Sequence, residues 1–475
     1  MAEGVRKQTQ YGYLLIKTSA QAKGPLMNTD ICAAPVSLAH ADTIEHWNAM
    51  IRAYLAHGPS TPQHLGAVLE AEPDFAMAHA ARGLFSLMMG RAEMWQVAED
   101  ARTAAHRARS AGPVSAREQG WIDALDQWLA DSPTGAIAAL EKVLERFPSD
   151  TLSAKASQAI RFILGDAAGM RWSVERVLDA HGPDHPLRGY LMGCHAFSLE
   201  ETGEYAAAER AGLAGLQYAP DDAWGLHAVA HVHDMRAEPD AGIALIEDNT
   251  AAWAGSNNFR YHVWWHKALL HLDRGERDVA LALYDSQIRA DKTDDYRDIA
   301  NATSLLMRLE LEGSDVGPRW EELGALAETR IDDGCVVFAD LHYQLALAGA
   351  ARGDAARAMS ARFARDARQT GDMAERVADP GLSALAGLNA FAEGRYGDAF
   401  VQLSAARPKM PTIGGSHAQR DVFERMTIDA GLRAGHFDAA EQILLDRLRL
   451  RAGREDRFAA TRFAQLSRAR AIPAQ

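Results

Sequence analysis

Segments that join an amphipathic helix to an alanine-rich one across a proline-containing turn recur along this chain of 475 residues. The pattern is plainest in AIAALEKVLERFPSDTLSAKASQAIRFILGD around Pro148 and in AAAERAGLAGLQYAPDDAWGLHAVAHV around Pro220. An earlier form, TPQHLGAVLEAEPDFAMAHAARGLFSLMMGR, turns at Glu72-Pro73-Asp74. Proline ends one helix, aspartate is expected to cap the next, and small residues let adjacent helices approach closely. Pro148, Pro186 and Pro220 follow one another at steps of 38 and 34 residues, close to the roughly 34 residues of a helix-turn-helix repeat. One such unit cannot bury its apolar face alone, so the pattern commits the chain to an all-α superhelix of stacked repeats.

Helical patterning starts early, in a helix read from Asp42 to His57 and ended by Gly58. It continues past His271 to GHFDAAEQILLDRLRL, and the Glu393-Gly394-Arg395-Tyr396 turn echoes Glu201-Thr202-Gly203-Glu204-Tyr205. No segment alternates with strand period, and no low-complexity linker divides the chain. Residues 27–475 are therefore expected to form a single continuous tetratricopeptide-like helical-repeat domain, an α-solenoid. Residues 1–26 read as a disordered or dispensable extension, with Met27 as a candidate natural start.

A net charge of −14 disfavours broad attraction to nucleic acid or anionic lipid. No apolar run approaches the roughly 18 residues that suggest a membrane span, and no Gly-x-x-x-x-Gly-Lys-Ser/Thr loop for nucleotide phosphates occurs. Cys32, Cys194 and Cys335 are odd in number and far apart, so no disulfide framework follows and a cytoplasmic setting fits best. A small-molecule ligand or a protein partner is expected, with no nucleic acid and no membrane; a homo-oligomer stays open.

Two histidine pairs stand out: His227-x-x-x-His231 and His262-x-x-x-His266, offset by 35 residues. Residues four apart share a helix face, so equivalent helices of neighbouring repeats would aim four imidazoles at one space. A divalent metal such as zinc is the first reading, with manganese or iron also suited to imidazoles and carboxylates. Neither pair is His-Glu-x-x-His, so any general base comes from elsewhere, with Glu201 and Asp340 as candidates. The second reading is metal-free acid–base catalysis, a carboxylate orienting the ring. Against both, a lone histidine is more often hydrogen-bonded between packed helices, here among Trp224, Trp253, Trp264 and Trp265. Four together favour a site. His233 points away from the His231 face, His195 and His271 read as structural, and neither Cys194 nor Cys335 sits in a nucleophile motif.

GGSHAQRDVF, from Gly414 to Phe423, offers two glycines for a tight turn or close approach to a ligand. Arg420 could clamp a carboxylate, or Arg420 and Asp421 could lock repeats together. The structural role ranks slightly higher, and Arg117 and Glu118 invite the same ranking.

The chain resembles the tetratricopeptide repeat protein 38 family from about Asp42 to its end. ARGLFSLMMG, REQGW, FSLEETGEY, DAWGLHAVAHVHDM, HVWWHKAL, VGPRW, FADLHYQLA and GGSHAQRDVF carry the likeness in order. It implies roles for Glu201, Asp222, His227, His231, His233, His262, His266, Asp340, His342, Gln419, Arg420 and Asp421. Trp121 departs from the histidine expected there. The likeness implies an architecture and no settled activity.

The expected function is a His/carboxylate-rich pocket that binds a metal or small molecule and supports hydrolytic or acid–base chemistry. His227, His231, His262 and His266 are the metal candidates. His231, His266, Asp340, His342 and Glu201 are the catalytic ones, and Arg420, Gln419, Trp265 and Asp222 would bind ligand. The alternative is a non-catalytic scaffold holding a protein or peptide in its concave groove. Convergent, enclosed histidines would favour the pocket; an open groove rimmed with basic residues would favour the scaffold.

Overall fold

The computed structural model describes residues 27–471; the proposed extension 1–26 lies outside them. From Ala41–Leu55 to Arg457–Ala471 the chain runs as helices that pack in sequential pairs, Arg188–Glu201 with Tyr205–Tyr218 among the tightest. The one strand pairing among the described residues is Asn28–Thr29 with Pro35–Val36, a two-residue ladder too short for periodicity to reveal. The all-α helical-repeat architecture is as expected.

The turn chemistry is less uniform than the motif suggests. Asp150 caps its helix, its carboxylate accepting the Ser153 N–H. Asp222 occupies the same position without making a side-chain cap bond, and after Pro73 the cap position falls to Phe75. The first helix does not end on Gly58: His57 takes the left-handed conformation at φ 55°, and the Gly58 N–H donates back to the Ala53 carbonyl. The echoed turns do match, with Gly203 and Gly394 at φ 84° and 72° and Tyr205 and Tyr396 opening the next helices.

The superhelix winds far enough to touch itself. The Asn257 N–H donates to the His57 carbonyl at 2.7 Å, and the Tyr205 hydroxyl donates to the Leu450 carbonyl at 2.5 Å. Arg330 bonds Glu93 at 2.9 Å. Gly414, at φ 94°, comes so near the Thr151–Leu164 helix that a Cβ there would stand 2.3 Å from the Ile163 carbonyl oxygen. The close approach foreseen for the glycine pair is thus to the protein itself, to backbone at Gly414 and to the Phe338 ring at Gly415.

Arg117 is sealed from solvent between Asp30 at 2.5 Å and Asp150 at 2.7 Å. Glu118 completes a capping box with Ser115 and accepts the Ser37 N–H at 2.7 Å. Both residues tie the N-terminal ladder to the repeats. Trp121 donates its indole N–H to Ser153 Oγ at 2.8 Å. Asp421 binds Arg425 at 2.6 Å and Arg447 at 2.7 Å, locking the last repeats.

Candidate metal centre

His227 and His231 lie on the Ala223–Met235 helix, His262 and His266 on Phe259–Asp273, and all four are buried. One ligand atom from each falls within 4.8 Å of the others. His262 is central: its Nε2 is 3.1 Å from His227 Nε2 and 3.1 Å from His266 Nε2. The 35-residue offset in sequence is therefore a face-to-face register in space.

The Nδ1 atoms of two of the rings are committed. His227 Nδ1–H donates to the Trp224 carbonyl at 3.3 Å, and His262 Nδ1–H donates to Asn301 Oδ1 at 3.1 Å. Both assignments place a bare lone pair on Nε2, because a neutral imidazole carries one N–H. Burial, then the neighbouring histidines, hold His227 and His266 well below the ordinary histidine range and His262 down to about 3. These three rings are neutral at physiological pH.

His231 turns its Nδ1 toward Glu200 Oε2 at 3.3 Å. Glu200 in turn holds the His417 ring in a short hydrogen bond. Burial opposes ionisation of Glu200, yet His417 and His231 hold it at about 2. Burial likewise opposes charge on His417, and Glu200 with Glu201 raises it to about 9. Glu201 accepts the His417 backbone N–H at 2.9 Å and faces Arg420 at 3.5 Å. Glu200, Glu201, His231 and His417 form a second convergent set that shares His231 with the first.

Aromatic rings wall the cluster. Trp265 stacks on His262 with centroids 5.3 Å apart, and Trp224 packs on His227. His57 stacks on Phe259 at 4.4 Å and on Trp224 at 5.6 Å.

The remaining candidates make other contacts. Asp340 pairs with Arg362 at 2.8 Å, and burial raises its pKa to about 6. His342 donates Nδ1–H to the Phe338 carbonyl at 2.7 Å and packs between Phe338 and Phe423. Neither belongs to a convergent set, so the expectation that Asp340 and His342 join the four histidines is corrected. Asp222 sits at a helix start against Gly193 and Gly225, where burial raises it to about 7. Arg420 donates to the Gly415 carbonyl, and Gln419 closes a capping box with Ser416. His233 meets Glu238 at 3.0 Å, His271 meets Glu276 at 2.6 Å and His195 meets Glu175 at 3.4 Å. Burial pushes the Cys194 and Cys335 thiols up to about 11 and about 12, which keeps both protonated.

Sequence reasoning missed Glu200, His417, Asn301 and His57. Glu200 stands next to the chosen Glu201 and one helical turn after the buried Phe197, a phase that marks it as the inward carboxylate. His417 lay inside the GGSHAQRDVF motif. Nothing in the sequence singled out Asn301.

No family model matches the chain. A solved structure of the human IFIT1 dimer with m7Gppp-AAAA is similar to it at 12% identity and a TM-score of 0.41, covering 92% of this chain and 96% of that one. Naa15/Naa10 bound to HypK-THB follows at 14% identity and a TM-score of 0.18, covering 91% and 81%. Likenesses this shallow say nothing of what the present chain binds. No helix among the described residues is long and apolar enough to cross a membrane.

Proposed function

We propose that this chain is a metal-binding helical-repeat protein whose ion is held by His227, His231, His262 and His266. The observation that carries the reading is the 3.1 Å approach of His227 Nε2 to His262 Nε2, each ring having spent its N–H on another acceptor. Two bare lone pairs facing each other in a buried interior repel, and a cation between them removes the repulsion. Tetrahedral Zn–N bonds of about 2.0–2.1 Å place neighbouring nitrogens about 3.3–3.4 Å apart, near the spacing found. An all-imidazole set suits zinc, copper, iron or nickel rather than magnesium or calcium. Glu200 behind His231 has the place of the carboxylate that orients a metal-ligating histidine.

For catalysis, such an ion would supply Lewis acidity and, by taking a fifth ligand beyond the four imidazoles, a bound water with a pKa of about 7. The protein's own contribution is a proton route. His231 Nδ1 lies 3.3 Å from Glu200, which hydrogen-bonds His417, and the His417 side chain is 22% exposed where Glu200 is sealed. Metal-assisted hydrolysis is the reaction class we assign. We also place the chain with the tetratricopeptide repeat protein 38 family, as one continuous repeat domain over 27–475, on the motifs quoted above.

Titration of metal-free protein with cobalt(II), read by its visible absorption, tests the reading. An intense tetrahedral band in the wild type that is absent from His227→Ala supports it. A wild type that shows only the spectrum of the hydrated ion overturns it.

A further inference from the structure

Asn301 Oδ1 accepts two hydrogen bonds, from His262 Nδ1–H at 3.1 Å and from Gln419 Nε2 at 3.3 Å. Asn301 is 1% exposed and lies on the Tyr296–Leu311 helix. Gln419 lies on the first turn of His417–Arg433, far away in sequence. An amide can present either oxygen or nitrogen to a neighbour, and the choice here decides which nitrogen of His262 carries the proton. Something must fix it.

The helix start does. Gln419 is the third residue of its helix, and its Oε1 accepts the Ser416 backbone N–H at 3.0 Å while Ser416 Oγ accepts the Gln419 N–H. A backbone N–H can only donate, so Gln419 must turn its oxygen to Ser416 and its NH2 to Asn301. Asn301 must then turn its oxygen to Gln419, and the same oxygen can only receive a proton from His262. We propose that the Ser416 helix cap sets the tautomer of His262 through this two-amide relay, making Asn301 and Gln419 positioning residues that keep His262 Nε2 bare. The relay is a property of the metal-free protein; only its consequence for an ion rests on the preceding section.

The polarity of the relay makes it reversible by single atoms. In Gln419→Glu the capping box survives, since either side chain accepts the Ser416 N–H, but the atom facing Asn301 becomes an acceptor. Asn301 then presents its NH2 to that carboxylate and to His262 Nδ1, which moves the His262 proton onto Nε2, into the cluster. Asn301→Asp does the opposite: a carboxylate accepts from both neighbours and preserves the native tautomer.

The test is imidazole nitrogen NMR on metal-free, ¹⁵N-histidine-labelled protein, with the His262 signals assigned by their loss in His262→Gln. The expected result is an Nδ1–H ring at 262 in the wild type and in Asn301→Asp, and an Nε2–H ring in Gln419→Glu. Zinc affinity should fall at least tenfold in Gln419→Glu and remain in Asn301→Asp. The same His262 tautomer in wild type and Gln419→Glu overturns the relay whatever the metal result. A switched tautomer in a protein whose wild type takes up no metal would leave the relay standing and remove the metal assignment alone. If Gln419→Glu does not fold, the Asn301→Asp prediction decides, and an Nε2–H ring there overturns the relay.

Discussion

Glu200 Oε2 stands 3.3 Å from His231 Nδ1, and both side chains are closed to solvent. The same carboxylate binds His417, which belongs to a helix more than 200 residues later in the chain. One acid thus joins a candidate ligand to the far end of the superhelix. Glu200→Gln removes the charge that pairs with His417, and because His417 is partly exposed the loss is at most about 3–5 kcal/mol, the cost of breaking a fully buried pair.

The pH dependence of that loss has a definite sign. His417 rises from about 6.5 to about 9 on folding, so its contribution is complete below about 6.5 and disappears as pH climbs through about 9. Glu200 falls to about 2, so its share is complete above about 4.5 and lost only as pH drops through about 2. The stability gap between wild type and Glu200→Gln, measured by urea unfolding, should be widest between pH 4.5 and 6.5, shrink as pH rises from 6.5 to 9 and stay small above that. A gap that grows as pH rises above 6.5 contradicts the pairing.

Acid should weaken the fold through its neutral histidines. Burial lowers His342 to about 4, so between about 6.5 and 4 the unfolded chain binds a proton that the native state refuses. Stability then rises with pH across that window. His342→Phe should flatten this limb by up to one proton, about 1.4 kcal/mol per pH unit, while leaving metal uptake intact. Urea midpoints at pH 4.5, 5.5 and 6.5 check the first part. Lost metal uptake in a folded His342→Phe would return His342 to the site.

Gly414 tests the closure of the superhelix. Its φ of 94° and the 2.3 Å that would separate a Cβ from the Ile163 carbonyl oxygen leave no room for a side chain. Gly414→Ala should destabilise the protein by at least the 1–3 kcal/mol typical of about one strained residue, and the thermal midpoint should fall accordingly. An unchanged midpoint would mean that the turn does not press on the Thr151–Leu164 helix as described.

The repeats and the two histidine pairs were legible because both are local. Proline turns, small residues and four-residue spacing are properties of single helices, and the 35-residue offset carries one helix face onto the next. What escaped is what the winding brings together. Glu200 with His417, and Asn301 with Gln419, meet only because the chain closes on itself, and repeat period carries no record of that contact. Asp340 and His342 misled for the converse reason: their spacing looked like chemistry, but Arg362 neutralises one and two phenylalanines enclose the other. One of the three expected aspartate caps forms, since a turn residue's identity does not fix where its helix begins. Asp150 caps and Asp222 does not.

Metal content bears most directly on the central claim. Protein purified without an affinity tag, wild type and His262→Ala, would be analysed by mass spectrometry after exchange into metal-free buffer and again after incubation with zinc. The four-histidine account predicts close to one ion per chain in the wild type and its loss in His262→Ala, because His262 Nε2 is the nitrogen that two others approach at 3.1 Å. Wild type that holds no ion under either condition, or equal occupancy in the variant, would contradict it.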